Sequence, residues 1–380
     1  MKDTHRCWAE VDLAALRGNL SWIRHRVGPR VKILTVVKAD AYGHGLKQIA
    51  AHLMQSGTDF FGVANLVEAR AIRSVGRGWP VLMLGACLPA EIEHAVRDEV
   101  RPTLSSLDEA AAFSAVACRQ GNVLPVHLKV DTGMGRLGAA PGKALDLLLA
   151  IQQLPGLALE GVYTHYSSAE TDARFSHRQA AQFQRLLRQA AAAGLRIPLV
   201  HANNSAALLI EPKTVFNLVR PGLLVYGILP EGPRALGTKL QARFRPALSW
   251  KCRVSLVKTI QRGASLSYGR AFVAPRVMRV ATLTAGYGDG YLRSGSHRAR
   301  VLIRGRRCRV LGSITMDQML ADVSHLDDVA PGDEAVLIGR QDEDEITAGE
   351  LARWGRTIAW EVLTAINHRV PRLYHGSHAA

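Results

Sequence analysis

Up to about residue 230 the chain alternates short apolar runs with longer amphipathic stretches. The runs fall at residues 32–38, 60–64, 81–84, 101–104, 126–130, 159–165, 197–201 and 216–219. Each is long enough for a strand and too short for a helix. Between them lie segments such as 46–55, 108–120, 143–152 and 178–193, whose apolar residues recur at the spacing of a helix with one buried face. The last of these stops at Gly194, a residue type that ends helices. A strand–helix unit repeated about eight times over roughly 220 residues predicts a (β/α)8 TIM-type barrel.

From about Arg243 the pattern changes. Strand-like runs at 248–259, 278–284, 300–303, 307–311, 319–323 and 334–338 are separated by Gly- and Pro-rich turns, and helical periodicity returns only at 348–354. These features predict a C-terminal β-rich domain. Pro230-Glu231-Gly232-Pro233 is linker-like and marks the approximate boundary. The expected organisation is residues 1–10 as a strand joining the C-terminal domain, 11–240 as the barrel, and 241–380 as the β-rich domain.

Composition changes this picture little. At 380 residues the chain can bury two cores, and 48% hydrophobic with 21% charged residues is a soluble globular profile. No apolar run approaches the roughly 18 residues of a membrane helix. Met1 to Arg6 leads into a mixed-charge segment with no hydrophobic signal core, so the expected compartment is the cytoplasm. Cys7, Cys87, Cys118, Cys252 and Cys308 are scattered singly, against a disulfide framework or a structural zinc site. The net charge of +16 raises the question of nucleic acid. Its densest stretch, Arg298 to Arg309, has strand-like apolar residues, which puts the arginines on the solvent face of a hairpin. Elsewhere the charges are dispersed and no aromatic-interleaved RNA motif occurs, so a nucleic-acid partner is not expected. Small anions such as phosphate esters and carboxylates are.

Barrel enzymes place their chemistry where strands end. Here Lys38, Lys129 with Asp131, His165, His201 and Arg220 each follow an apolar run. A lone lysine or histidine at such a place is ordinary; five ends bearing Lys, His or Arg put converging charge on one face. Lys38 is followed by Ala-Asp-Ala-Tyr-Gly-His-Gly, small residues that leave room for a flat ring, with Tyr42 able to reach an anion. The spacing is not that of a Walker loop. A lysine so placed suits imine chemistry with a carbonyl cofactor.

The segment Val37-Lys38-Ala39-Asp40-Ala41-Tyr42-Gly43-His44-Gly45 resembles the cofactor-lysine signature of alanine racemases, barrel-class pyridoxal-phosphate enzymes. The resemblance runs almost end to end. It includes Lys129-Val-Asp-Thr-Gly-Met-Gly-Arg136, Tyr163-Thr-His165-Tyr, Asn204-Ser205-Ala and Val219-Arg220-Pro-Gly222 with Tyr226-Gly227. It continues through Leu266-Ser-Tyr268-Gly-Arg270, Gly286-Tyr287-Gly-Asp289, Thr315-Met316-Asp317-Gln318 and Val370-Pro371-Arg372.

The resemblance implies pyridoxal 5'-phosphate as cofactor and alanine as substrate, with D-alanine supplied for peptidoglycan. Lys38 would hold the cofactor as an imine and act as base on one face of Cα, with Tyr268 the base on the other. Racemisation removes a proton from one side and returns it to the other, so two flanking groups suffice. An unperturbed tyrosine, with a pKa of about 10, needs a cation to favour its phenolate, and Arg136 is the expected one. Arg220 would face the pyridine nitrogen and weaken the ring as an electron sink, with His201 behind it and His165 against the ring. Tyr42, Asn204, Ser205 and the backbone of Gly222 and Leu223 would hold the phosphate side of the cofactor. Met316 would offer its N–H to the substrate carboxylate, with Tyr287 and Asp317 in support. Lys129 stands where the family often carries a CO2-modified lysine, whose carbamate would orient Arg136. Tyr268 and Met316 would act in trans, the β-rich domain completing the partner subunit's site in a homodimer.

One departure stands out. Where the family usually has a tyrosine near the cofactor phosphate, this chain has Trp360, in Ile358-Ala-Trp360-Glu-Val. Tryptophan keeps one N–H but is bulkier, which leaves a serine or broad-specificity racemase as the alternative reading. A basic-amino-acid decarboxylase would need a C-terminal cysteine–aspartate element, which is missing. A non-catalytic cofactor carrier would lack the segments around Tyr268 and Met316. Gly133-Met-Gly135-Arg-Leu-Gly138 matches a dinucleotide fingerprint, but Pro141 and the surrounding repeat argue against an opening helix. Asn203-Asn204-Ser205 fits a glycosylation pattern irrelevant to a cytoplasmic chain. The fourteen histidines show no metal-binding spacing, so no metal is expected.

Overall fold

Residues 5–210, 216–229 and 243–376 are described by a computed structural model; Pro230 to Pro233 and the 240/241 boundary lie outside them. The chain divides into two compact units, one of Met1–Ala15, Tyr42–Gly45 and Pro246–Ala380, the other of Leu16–Ala41 and Leu46–Arg245.

The first strand, β1 (Cys7–Asp12), belongs to the former unit. The next eight are β2 (Lys32–Val36), β3 (Phe60–Val63), β4 (Val81–Met83), β5 (Thr103–Leu104), β6 (Leu124–Lys129), β7 (Leu157–Tyr163), β8 (Leu199–His201) and β9 (Leu218–Val219). They form one parallel eight-stranded sheet in the order β4-β3-β2-β9-β8-β7-β6-β5. A parallel bridge between Leu82 and Arg101, with Met83 N–H donating to the Arg101 carbonyl at 2.9 Å, joins the last strand to the first and closes a barrel. All residues of β3 and β4 are buried, as strands covered on both faces require.

The helices between the strands start where local chemistry allows. The side chains of Asn65, Ser106 and Asp172 accept the N–H of Glu68, Glu109 and Phe175, capping helices Leu66–Arg73, Leu107–Arg119 and Ala173–Ala192. Gly194 has φ +80°, the left-handed conformation that ends the last of these. Leu13–Val27 and the short helices Ile92–Arg97 and Ser205–Ile210 lack a strong apolar period and are known only from the structure.

In the other unit the strands are β10 (Leu248–Ile260), β11 (Ser265–Leu266), β12 (Phe272–Val273), β13 (Met278–Leu283), β14 (Arg300–Ile303), β15 (Arg306–Leu311), β16 (Met319–Asp322), β17 (Glu334–Gln341), β18 (Asp344–Ile346) and β19 (Arg372–His375). The long β10 pairs with β17 through Trp250–Arg253 and with β13 through Val254–Ile260, closing a ring β10-β13-β16-β15-β14-β17. β1 lies antiparallel to β10 and parallel to β19. The basic hairpin β14–β15 carries exposed Arg300, Arg306 and Arg309. Part of its charge is neutralised within the unit, because Arg304 pairs with Asp328 and Asp333, and Arg307 with Asp344 and Glu350. No described helix is long and apolar enough to cross a membrane.

Tyr42–Gly45 packs into this unit with little room to spare. A Cβ on Gly43, at φ +78°, would stand 2.2 Å from the Leu363 carbonyl oxygen, and one on Gly45 would stand 1.9 Å from the Tyr374 hydroxyl. Gly18 is the opposite case, an exposed helical glycine with nothing within 4 Å of a new Cβ. Gly43→Ala should therefore destabilise by about 2–4 kcal/mol, and Gly18→Ala should stabilise by about 0.5–1 kcal/mol. Urea unfolding of both variants against the parent checks this; a Gly43→Ala protein with the parent's midpoint would refute the packing argument.

Candidate active site

At the end of β2 the backbone turns left-handed. Ala39, Asp40, Ala41, Tyr42 and Gly43 all have positive φ, between 52° and 78°. Such a turn costs about 1–2 kcal/mol per non-glycine residue and persists only where surroundings fix it. Here Ala39 N–H donates to Glu68 Oε1 at 2.7 Å, Ala41 N–H to the Val37 carbonyl at 2.9 Å, and Leu46 N–H to Asp40 Oδ1 at 2.7 Å. The other oxygen of Glu68 takes the Ala64 N–H, so one carboxylate ties the ends of two strands. Lys38 begins this turn, partly buried. Burial and then the nearby Arg136 lower the pKa of its amine.

Arg220, just past β9, is 3% exposed. One terminal nitrogen donates to His201 Nδ1 at 2.7 Å; the other donates to the carbonyls of Thr164 and Ala202 at 2.8 and 2.9 Å and lies 3.2 Å from His165 Nδ1. Its guanidinium carbon is 4.9 Å from the ring centre of Tyr163, which stacks on His201 at 4.6 Å. Burial pulls Arg220 down to about 10, which leaves it cationic at neutral pH. Burial, then Arg220, push His165 and His201 well below the ordinary histidine range, so both imidazoles are neutral.

Lys129 closes β6, 2% exposed. Burial, then Arg136 and Arg220, bring its amine down to about 8. Arg136 is exposed and makes no hydrogen bond or ion pair among the described residues. Asp131, the carboxylate nearest these cations in sequence, is already committed. Burial raises its pKa, but the N–H groups of Gly135, Gly133 and Met134, all within 3.0 Å, outweigh that and hold it below the usual range. The same bonds dispose of the dinucleotide fingerprint, because those N–H groups serve Asp131 and no helix opens before Pro141.

Ser205 Oγ accepts the N–H of Gly222 at 2.9 Å and of Leu224 at 3.3 Å, which leaves its own proton to donate. Leu223 is buried beside them. The Asn204 carboxamide oxygen accepts the Ala207 N–H at 2.9 Å and so caps helix Ser205–Ile210. The barrel unit thus brings together Lys38, Lys129, Arg136, His165, His201, Ser205 and Arg220.

The remaining candidates lie in the other unit. Tyr42 is buried there. Tyr268 is 77% exposed on a turn where Ser267, Gly269 and Arg270 all have positive φ. Ser267 Oγ donates to the Ser313 carbonyl at 2.7 Å, which pins this turn to the loop bearing Met316, itself 53% exposed. Tyr287 and Gly288 donate their N–H groups to the carbonyls of Thr315 and Met316 at 3.0 and 2.7 Å, and Arg369 bridges Asp317 and Asp289. Tyr268, Tyr287, Met316 and Asp317 therefore share adjoining loops. Trp360 is partly buried in helix Ala359–Ala365.

Sequence reasoning missed His127, Glu160 and Arg101, which extend the hydrogen bonds beyond His201. The signal was there in part: His127 and Lys129 alternate in an apolar strand, the period-two spacing of one strand face. Gly161 opposite gives the room, since a Cβ there would stand 2.4 Å from His127 Nδ1.

Two lysines lowered by burial and by neighbouring arginines, with the adjacent carboxylate spent on backbone, suit an anionic ligand. A phosphate ester bearing a carbonyl fits this set: a neutral-leaning lysine for the carbonyl, a serine proton for the phosphate, and a buried arginine for the ring.

A profile described as "Alanine racemase, N-terminal domain" matches residues 11–230, and "Alanine racemase, C-terminal domain" matches 247–374. An alanine racemase of Symbiobacterium thermophilum is 41% identical over 373 residues, 98% of each chain. The crystal structure of alanine racemase from D-cycloserine-producing Streptomyces lavendulae superposes with a TM-score of 0.92 at 35% identity, covering 98% of this chain and 97% of that one. That from Bartonella henselae, described with covalently bound pyridoxal phosphate, gives 0.88 at 26% identity, covering 98% and 100%.

The burial of Lys129 has a measurable consequence. Folded, its amine holds a proton only below about pH 8; unfolded, up to about pH 10.4. Between those values the unfolded chain binds more protons, so this group makes the protein more stable as pH rises. Lys129→Met lacks that term. In CO2-free buffer its stability relative to the parent should be most favourable near pH 7 and fall by a few kcal/mol toward pH 10, since one pKa unit is about 1.4 kcal/mol. Parallel stability curves would show that Lys129 is not desolvated.

Proposed function

This chain belongs to the alanine racemase family, and from that premise we propose that it interconverts L- and D-alanine with pyridoxal 5'-phosphate held by Lys38. The family is a pyridoxal-phosphate-dependent class of isomerases, and the chain is an enzyme of that class. The observation that carries the residue assignment is the depressed amine of Lys38 within a cationic cluster at the ends of the barrel strands. A lowered pKa favours the unprotonated amine, which is the nucleophile a carbonyl cofactor needs and can take a proton.

Bound there, pyridoxal phosphate would supply an electron-withdrawing ring that acidifies the substrate Cα–H. Lys38 Nζ would take or return that proton on one face, and the Tyr268 hydroxyl would do so on the other. Arg136 would favour the Tyr268 phenolate. The backbone N–H of Met316 would orient the substrate carboxylate, with Tyr287 and Asp317 setting its loop. Arg220 would face the pyridine nitrogen, held by His201, and neutral His165 would lie against the ring. Ser205, Tyr42, Asn204 and the backbone of Gly222 and Leu223 would hold the phosphate, with Trp360 beside them. Carbamylation of Lys129 by CO2 would need the neutral amine that its burial favours.

The exposure of Tyr268 and Met316 supports a site completed by a second copy of the chain, hence a homodimer. The proposed role is the supply of D-alanine for peptidoglycan, in the cytoplasm. Trp360 supports one alternative, a serine or broad-specificity racemase, because an indole is bulkier than the phenol the family usually carries there and would leave less room.

Incubation with L-alanine in D2O should place deuterium at Cα while optical rotation decays to zero; release of CO2, or no exchange, would reject the assignment. The same assay with serine separates the alternative. Lys38→Ala and Tyr268→Ala should each lose about 10²–10⁴-fold in rate. Mixed under verified subunit exchange, the two variants should regain activity through one intact site per heterodimer, and no recovery would exclude the shared site.

A further inference from the structure

Behind Arg220 a single file of hydrogen bonds crosses the barrel interior. His201 Nε2 lies 2.9 Å from His127 Nδ1, and His127 Nε2 lies 3.0 Å from Glu160 Oε2. Glu160 in turn receives Arg101 through both oxygens, at 2.6 and 3.2 Å. Both imidazoles are fully buried, whereas the side chains of Glu160 and Arg101 keep 20% and 16% exposure at the outer end.

The direction of this file is dictated by its ends. A guanidinium can only donate, so His201 Nδ1 must accept, and the His201 proton sits on Nε2. That proton points at His127 Nδ1, which must accept, so the His127 proton sits on its own Nε2. A carboxylate can only accept, and Glu160 does. Its ionised state is secure: burial works against it, but the bonds from His127 and Arg101 outweigh this and bring it to about 2. Burial also keeps His127 neutral, although Glu160 opposes that. Every step agrees with the next.

We infer that Glu160, acting through His127 and His201, is a positioning residue for Arg220: it fixes the proton order so that an imidazole lone pair always faces the guanidinium. The importance of this for catalysis rests on the proposed role of Arg220 at the pyridine nitrogen; the proton order itself does not. A reversed file would aim an N–H at Arg220, push the guanidinium off the carbonyls of Thr164 and Ala202, and turn the group meant to face the ring. Glu160 is 33 residues from His127 in sequence, and its side-chain partners among the described residues are His127 and Arg101.

The test uses cofactor-free protein with 15N-labelled histidine, and long-range 1H–15N spectra at neutral pH read which nitrogen bears each proton. In the parent, His127 and His201 should both be neutral with the proton on Nε2. In Arg220→Met, which removes the donor at one end, both should keep that order, because Glu160 still imposes it. Adding Glu160→Gln to Arg220→Met supplies an amide that both donates and accepts, and the two rings should then show mixed protonation. In Glu160→Gln alone, the Nδ1 signal of His201 should shift although no atom bonded to that ring has changed. His201 protonated on Nδ1 in the parent, mixed forms in Arg220→Met, or an unmoved His201 signal in Glu160→Gln would each overturn the inference. Should Arg220→Met fail to fold, the parent and Glu160→Gln spectra decide alone. Cofactor binding, followed separately by absorbance, fails independently if the proposed function is wrong.

Discussion

A cation buried to 3% exposure, with no carboxylate paired to it among the described residues, is the constraint around which the barrel site is organised. An isolated buried charge is costly unless its donors are met. Arg220 meets that demand with two main-chain carbonyls, two imidazoles and the face of Tyr163. Each of those partners is then committed in turn. The imidazoles are held neutral, the tyrosine is stacked flat on His201, and the nearest lysine is depressed toward its neutral form. The outer end of the network is anchored by an ion pair that still touches solvent, where a charged pair is less costly to maintain.

The second constraint is backbone geometry at Lys38. A left-handed turn of four non-glycine residues is unfavourable by itself. It is held by the Glu68 carboxylate, by the Asp40 side chain, and by glycines at 43 and 45 that no side chain could replace. Lys38 therefore sits at a place where strain is retained by tertiary contacts rather than relieved, as is common at functional sites. For the proton transfer proposed for Lys38 such rigidity has a use, because the amine must lie within hydrogen-bond reach of one defined atom.

The sequence carried much of this. Strand and helix periods follow from backbone geometry alone, so the eight barrel strands lie close to their expected positions, with ends off by at most two residues. Val37 and Lys38 fall outside β2 because the left-handed turn begins there, and β6 and β7 start two residues early. Lys38, Lys129, His165, His201 and Arg220 were legible as a set because polar residues that end apolar runs must gather at one mouth of a barrel. Helix Leu13–Val27 was not, its apolar and basic residues being too mixed to show a clear face.

What the sequence could not determine was which of those groups touch and what state they hold. Glu160 is one of many acidic residues until β6 and β7 pair in the register that sets His127 opposite Gly161, where a missing side chain makes room for the ring. Asp131 reads as a free carboxylate until the loop folds three N–H groups onto it. The neutral histidines and lowered lysines arise from desolvation, which depends on everything packed around them and on no local segment. The order of residues determined the barrel and the identity of its polar ends; packing alone decided which of them carry charge.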